Sequence, residues 1–168
     1  MKHIDQTVNL LDYMQNRVLN TLKTALTSVN DSNLEFKPDG DLNSLKFLFY
    51  HVVNSPFIYL SGLGKKEFNS VDFNLIAINL EKIKSFKELI EYYNTFFTFL
   101  ENLKAKIKPS YLDDTIVYNL EKVGWGSWNL TGQRAIETAF EEIIHHRGQI
   151  YIYMRILGVK PPLIYPYL

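Results

Sequence analysis

The sequence predicts an all-α fold, a four-helix bundle with a short extended excursion before its last helix. Four segments carry apolar residues at the spacing of amphipathic helices, and capping residues and helix breakers separate them. The chain has 168 residues, of which 46% are hydrophobic and 21% are charged, so it can bury a sizeable core. We therefore expect residues 1–168 to form a single domain.

The first predicted helix spans about residues 4–29. One face carries the apolar residues Ile4, Val8, Leu11, Val18, Leu22, Ala25 and Val29 at helical spacing. A polar cluster over residues 30–33 ends this helix, and Pro38-Asp39-Gly40 predicts a turn after it.

The second predicted helix begins near Asn43 or Ser44, since either residue is a good N-cap, and it stops near Gly62. Pro56 lies inside it and predicts a kink, because proline removes one helical hydrogen bond. Residues 65–80 show no clear periodicity, and we expect them to be irregular. The third helix opens with a Ser and a Glu three residues apart, the spacing of a capping box, and it ends before Pro109.

The fourth predicted helix runs from Thr131 to Leu157. Before it, residues 110–130 combine a strand-like run with a Gly- and Trp-rich stretch, which predicts the extended excursion, with a short hairpin as one form of it. Gly158 suits the position just after a helix, and Pro161-Pro162 cannot continue one. Four helices of this length favour a bundle, and bundles build metal sites from facing helices.

The composition excludes several classes of protein. There are no cysteines, so disulfides, thiolate nucleophiles and Cys-ligated zinc are ruled out. Eighteen basic and eighteen acidic residues give zero net charge, so we expect no nucleic-acid partner. No stretch approaches the roughly 20 apolar residues of a membrane span. The N-terminal stretch carries Asp5 and lacks the apolar core of a signal peptide, so we expect a cytoplasmic protein.

Two histidines fall on the apolar faces of the second and fourth helices. A helix turns by about 100° per residue. With His146 at zero, one face of the fourth helix gathers Ala135, Ala139, Ile143, Ile150, Tyr153 and Leu157. Glu142 lies about 40° to one side, one turn earlier, so its carboxylate can reach the same point as the imidazole. His145 lies about 100° away, at the shoulder of this face or outside it.

The same construction places His51 on the inward face of the second helix. A carboxylate beside imidazoles in a core needs compensation, because an unpaired buried charge is costly. A divalent cation bound by His51, Glu142 and His146 would supply it, and so would a simple hydrogen bond between Glu142 and a histidine. The spacing alone leaves both interpretations open.

The end of the chain carries a more specific motif. It reads His145-His146-Arg147-Gly148-Gln149-Ile150, then Tyr153-Met154-Arg155-Ile156-Leu157-Gly158, then Pro161-Pro162. This motif closely resembles the last helix of the DinB/YfiT-like superfamily. The region from Ser44-Leu45 to His51 resembles the second helix of that family, and the order of elements agrees along the whole chain.

The resemblance implies a four-helix bundle with an unusual connection, in a family in which many members are homodimers. It also implies a metal held by one histidine of helix two and two histidines of helix four at i and i+4. His51 and His146 match these positions. The third position falls on Glu142, where the family usually has histidine, but a carboxylate is still a competent ligand.

Three protein ligands would leave coordination positions open, as in catalytic sites. The resemblance implies zinc or nickel, and the Glu142 carboxylate would also admit manganese or iron. By resemblance, the expected function is transfer of a small intracellular thiol to a small-molecule substrate, or metal-dependent hydrolysis. The alternatives are a non-catalytic, stress- or damage-inducible metal-binding protein and a structural bundle without metal. Candidates for pocket or supporting roles are Arg147, Gln149, and Trp125 or Trp128, with ordinary packing or surface exposure as the alternative for each.

Overall fold

The computed structural model describes residues 2–164, and four long helical segments dominate it. The first consists of α1 (Lys2–Tyr13), a π-helical stretch (Met14–Leu19) and α2 (Asn20–Thr27), which follow one another without a break. The helix predicted over residues 4–29 is thus confirmed. Its π-helical middle was not predicted.

The other three long helices are α3 (Leu45–Ser61), α5 (Phe86–Lys106) and α7 (Gly132–Ile156). Each begins after a hydroxyl residue whose side chain accepts a backbone N–H bond three residues on, namely Ser44, Ser85 and Thr131. These caps satisfy amide groups that the first helical turn leaves unpaired, and they confirm the predicted starts. Pro56 lies inside α3, which continues as one helix to Ser61.

The short elements are β1 (Glu67–Asn69), α4 (Ser70–Ile76), α6 (Ser110–Asp113), β2 (Thr115–Asn119) and β3 (Ser127–Thr131), with 3₁₀ turns at Asp31–Asn33, Leu80–Lys82 and Glu121–Val123. The strands form one small sheet in the order β1-β2-β3. β2 and β3 form an antiparallel hairpin, and β1 joins β2 in parallel. The predicted excursion is confirmed as this hairpin, whereas the irregular structure expected for residues 65–80 was wrong for β1 and α4.

The core lies between the long helices, and α3 and α7 share the most extensive contact. The buried residues of these two helices include Val52 and Ile58 of α3 and Ala139, Ile143 and Ile150 of α7. The sheet adds a second apolar layer through the fully buried Phe68, Ile116 and Tyr118. Within residues 2–164, no helix is both long enough and apolar enough to cross a membrane.

The start of α7 is fixed by a contact that only glycine allows. A Cβ atom on Gly132 would collide with the carbonyl oxygen of Tyr111 in α6. The Gly132 N–H donates to the carbonyl oxygen of Asp114 at 3.0 Å. The first turn of α7 therefore packs directly against the backbone around the end of α6.

Candidate metal centre

Three side chains converge where α3 and α7 face each other. His51 of α3 places its Nε2 atom 3.2 Å from Oε2 of Glu142. His146, one turn after Glu142 on α7, places its own Nε2 atom 3.3 Å from the same oxygen. One ligand atom from each of the three residues lies within 4.8 Å of the other two. The structure thus brings together the three residues singled out from the sequence.

Neighbouring side chains contact all three members of this group. Gln149 Oε1 lies 2.7 Å from His146 Nδ1, and an amide oxygen only accepts, so Nδ1 carries the proton of this bond. The buried Ser55 hydroxyl donates to Oε2 of Glu142 at 3.3 Å. The ring of Phe47 stacks on His51, with centroids 5.4 Å apart. Such partners hold ligand groups in one orientation and one tautomer.

The protonation pattern leaves a place for a cation. With one proton of His146 on Nδ1, the other ring nitrogen, Nε2, faces the acceptor Oε2 of Glu142. The hydrogen bonds of His146 and then of His51 hold the pKa of Glu142 well below its usual range, although burial opposes the shift. The carboxylate is therefore charged, and either a proton or a metal ion must lie between it and each imidazole nitrogen.

The distances suit a divalent metal. A metal about 2.0–2.1 Å from each donor, at a tetrahedral angle, holds its ligand atoms about 3.3 Å apart. The two distances to Oε2 are 3.2 and 3.3 Å. The side chains of His146, His51 and Glu142 are 13%, 21% and 31% exposed, so solvent reaches the group from one side. An ion bound there would be open to small molecules.

His145 lies on the exposed side of α7, as the helical rotation predicted. Its ring touches that of His146 edge to face, with centroids 4.8 Å apart, but His145 is not part of the converging group. Burial raises the pKa of Tyr151, and the positive charge of Arg147 opposes that rise. Gln149 was considered for a supporting role, and its hydrogen bond to His146 is consistent with that role.

The two tryptophans occupy different surroundings. Trp128 stacks on Tyr118, with centroids 5.4 Å apart, and meets the edge of Tyr59 at 6.4 Å. Trp125 packs instead against Phe73 of α4, at 5.7 Å, and is 45% exposed. Of the two, Trp128 is the one that contacts Tyr59, which lies one helical turn after Ser55 on α3.

No role near the site was predicted for Ser55 or Tyr59 from the sequence. They follow His51 at i+4 and i+8 on α3, which places them on the same side of the helix. Burial raises the pKa of Tyr59, and the negative charge of Glu142 adds to the rise. The helical spacing from His51 was the signal that could have found both residues.

The fold and the site together define a helical bundle that carries a His–Glu–His group on two facing helices. A model of the DinB superfamily matches residues 11–150. The chain belongs to the DinB superfamily. Among curated proteins, none matches the chain in sequence.

Solved structures of similar fold come from the same superfamily. A DinB-like protein from Bacillus subtilis has a TM-score of 0.71 at 17% identity, over 95% of this chain and 99% of its own. One from Bacillus cereus has a TM-score of 0.67 at 20% identity, over 92% and 95%. YfiT from Bacillus subtilis has a TM-score of 0.65 at 12% identity, over 95% and 90%, and is described as a probable metal-dependent hydrolase with an unusual four-helix bundle topology. At these identities the likeness shows the fold, which agrees with the bundle predicted from the sequence.

Proposed function

We propose that the chain is a divalent-metal-dependent hydrolase whose metal is held by His51, Glu142 and His146. The observation that carries this proposal is the convergence of two imidazole Nε2 atoms on one carboxylate oxygen, at 3.2 and 3.3 Å. A mere polar pair would need one histidine, whereas here two histidines and a carboxylate point at a single place. The description of YfiT as a probable metal-dependent hydrolase adds support.

The ligand set favours chemistry over a purely structural role. Three protein ligands leave at least one coordination position for water or substrate, whereas structural zinc sites are normally closed by four. A metal in such a site lowers the pKa of a bound water or polarises a carbonyl. Glu142 supplies one negative charge, which leaves a divalent ion at a net +1 instead of the +2 of a three-histidine site. The carboxylate also widens the choice of metal from zinc and nickel towards manganese and iron.

The surrounding residues would orient this chemistry. Gln149 holds His146 in the tautomer whose Nε2 atom is free to bind a metal. Ser55 donates to the oxygen of Glu142 on which both histidines converge, and so fixes the carboxylate's rotation. Neither bond uses a lone pair of the two imidazole Nε2 atoms, so both are compatible with a metal bound at those atoms.

Elemental analysis of protein made without a histidine tag is the first test, because a tag would contribute metal of its own. We expect close to one equivalent of a divalent metal, which is lost in the His51→Ala protein. Protein that retains no metal after dialysis against zinc, nickel, manganese or iron would contradict the proposal and favour a structural bundle.

A substrate screen of the loaded protein is the second test. Nitrophenyl esters and amides probe hydrolysis, and small thiols with electrophiles probe thiol transfer. The chain has no cysteine, so a transferase would need an added thiol for turnover, whereas a hydrolase would not. If turnover requires the added thiol, the protein is a thiol transferase and the proposal of a hydrolase is wrong. Metal binding without turnover in either screen would leave a non-catalytic metal-binding protein.

A further inference from the structure

The surface next to the candidate metal centre is aromatic. α3 carries His51, Ser55 and Tyr59 at successive turns, so a line along this helix leads from the centre towards the sheet. Tyr59 stands at the end of that line and meets Trp128 of β3, with ring centroids 6.4 Å apart. Both rings are partly exposed.

The sheet holds these rings in place from behind. Tyr118 is fully buried and stacks on Trp128 with an angle of 7° between the ring planes. Its hydroxyl donates to the backbone carbonyl oxygen of Tyr59 at 2.6 Å. Tyr118 and Trp128 are also direct partners in the β2–β3 pairing. One buried tyrosine thus ties Trp128 and α3 together, so the exposed parts of Tyr59 and Trp128 form a rigid surface.

The contacts between these rings indicate which groups this surface can accept. Tyr59 packs against Tyr118 and Trp128, with ring centroids 5.9 and 6.4 Å apart, and Trp128 stacks on Tyr118. The face of an aromatic ring on the substrate would find other rings to pack against here.

We propose that Tyr59 and Trp128 form a subsite beside the metal centre that binds an aromatic group of the substrate. This inference rests on the proposed metal-dependent function and names the class of substrate that the site prefers. The reacting part of the substrate would lie at the His51–Glu142–His146 group, and its ring would lie towards β3.

Two metal-binding probes that differ in one group test this subsite. Acetohydroxamate and benzohydroxamate both bind an open metal through the same hydroxamate, and they differ by a methyl and a phenyl group. Binding of each to the cobalt(II)-loaded full chain can be followed by the visible absorption of the metal. We expect benzohydroxamate to bind about fivefold more tightly than acetohydroxamate, the size of effect that aromatic packing provides.

Paired variants on the same hairpin locate the effect. Trp128→Leu should abolish the preference for the phenyl group and leave cobalt and acetohydroxamate binding unchanged. Trp125→Leu, the matched control, should retain the preference, because Trp125 packs against Phe73 on α4. An unchanged preference in the folded Trp128→Leu protein, or none in the parent, would overturn the subsite but not the metal site. If the parent protein binds neither cobalt nor acetohydroxamate, the metal-dependent function is rejected, and the subsite with it.

A second measurement does not require Trp128→Leu to fold. In the Trp125→Phe protein loaded with zinc, Trp128 is the one remaining tryptophan. Benzohydroxamate should change its fluorescence at saturation, whereas acetohydroxamate should not. Equal spectra with both probes, at concentrations that saturate the metal, would place the phenyl group away from Trp128 and overturn the subsite.

Discussion

Two identical pairs of residues lie side by side on α7. Glu141 and His145 are spaced i, i+4, and Glu142 and His146 repeat the same spacing one residue later. Both pairs offer the same donor atoms at the same helical distance. The second pair faces His51 across the α3–α7 contact, whereas the first faces outward.

The glutamate of the outward pair forms an ion pair on the protein surface. Glu141 is 61% exposed and accepts from Arg134 at 3.2 Å, and Arg134 also bonds Glu137. Exposed ion pairs of this kind contribute little to stability. The inward pair meets a histidine of a different helix, since Glu142 contacts His51 of α3. These two residues are 91 positions apart in the sequence. The i, i+4 spacing alone therefore does not make a pair of residues into metal ligands. What distinguishes the two pairs is whether they face another helix that carries a further ligand.

The sharpest test of this difference removes one histidine from each pair. His146→Ala should lower metal affinity by more than about 100-fold, since losing a ligand exceeds the 10–100-fold effect of losing a residue that only orients one. His145→Ala should leave the affinity nearly unchanged. Isothermal titration of the metal-free proteins with zinc measures both. Metal loss in His145→Ala together with retention in His146→Ala would mean that α7 is rotated differently about its axis.

The two glutamates test the role of the carboxylate. Glu142→Ala should weaken metal binding by more than about 100-fold, because it removes the charged ligand and not just a residue that orients one. Glu141→Ala should have no effect. Glu142→His should keep the metal and shift the preference towards zinc or nickel, because an imidazole nitrogen is a softer donor than a carboxylate oxygen. Competition titrations with zinc, nickel and manganese measure this preference. Parent-like affinity in Glu142→Ala would remove the carboxylate from the ligand set.

Metal binding should also stabilise the fold, because the site exists only when α3 and α7 are packed together. At a free metal concentration 100 times the Kd, the native state gains about 2.7 kcal/mol. For a chain of this size that raises the melting temperature by about 5–10 °C. Differential scanning calorimetry with and without zinc measures the shift. The same shift in His146→Ala would trace it to metal bound elsewhere on the protein.

A smaller effect is expected from the residue behind His146. Gln149→Leu removes the acceptor for Nδ1 and frees the ring to change tautomer, so metal affinity should fall about tenfold. Gln133→Leu is the matched control, since Gln133 is an exposed glutamine of α7 whose bond goes to Glu137. Equal affinities in the two variants would show that Gln149 does not orient the ligand.

The parts of the fold that depend on local signals were predictable. Apolar periodicity located the long helices, and the capping residues Ser44, Ser85 and Thr131 fixed three starts. β1 was not predictable, because three residues carry no period and their partner strand lies about fifty residues away. α4 did carry a local signal that was overlooked, the capping box of Asn69 and Asp72.

The candidate site divides in the same way. Helical rotation alone separated His146 from His145 and placed Glu142 beside it. The contact of Glu142 with His51, and the bond from Ser55, depend on how α3 and α7 pack, which the pattern of either helix does not contain. The ligand roles, the single-domain assignment, a homodimer and a cytoplasmic location stay predictions.

Gly132 has a consequence for the candidate site ten residues further along α7. The contact of Gly132 with the Tyr111 carbonyl sets how far α7 extends along its own axis. One residue of helix advances about 1.5 Å, and a shift of that size would carry Glu142 and His146 out of line with His51. Gly132 therefore fixes the position of α7 along its axis. A larger side chain at residue 132 would shift Glu142 and His146 along that axis relative to His51, without contacting any of the three residues.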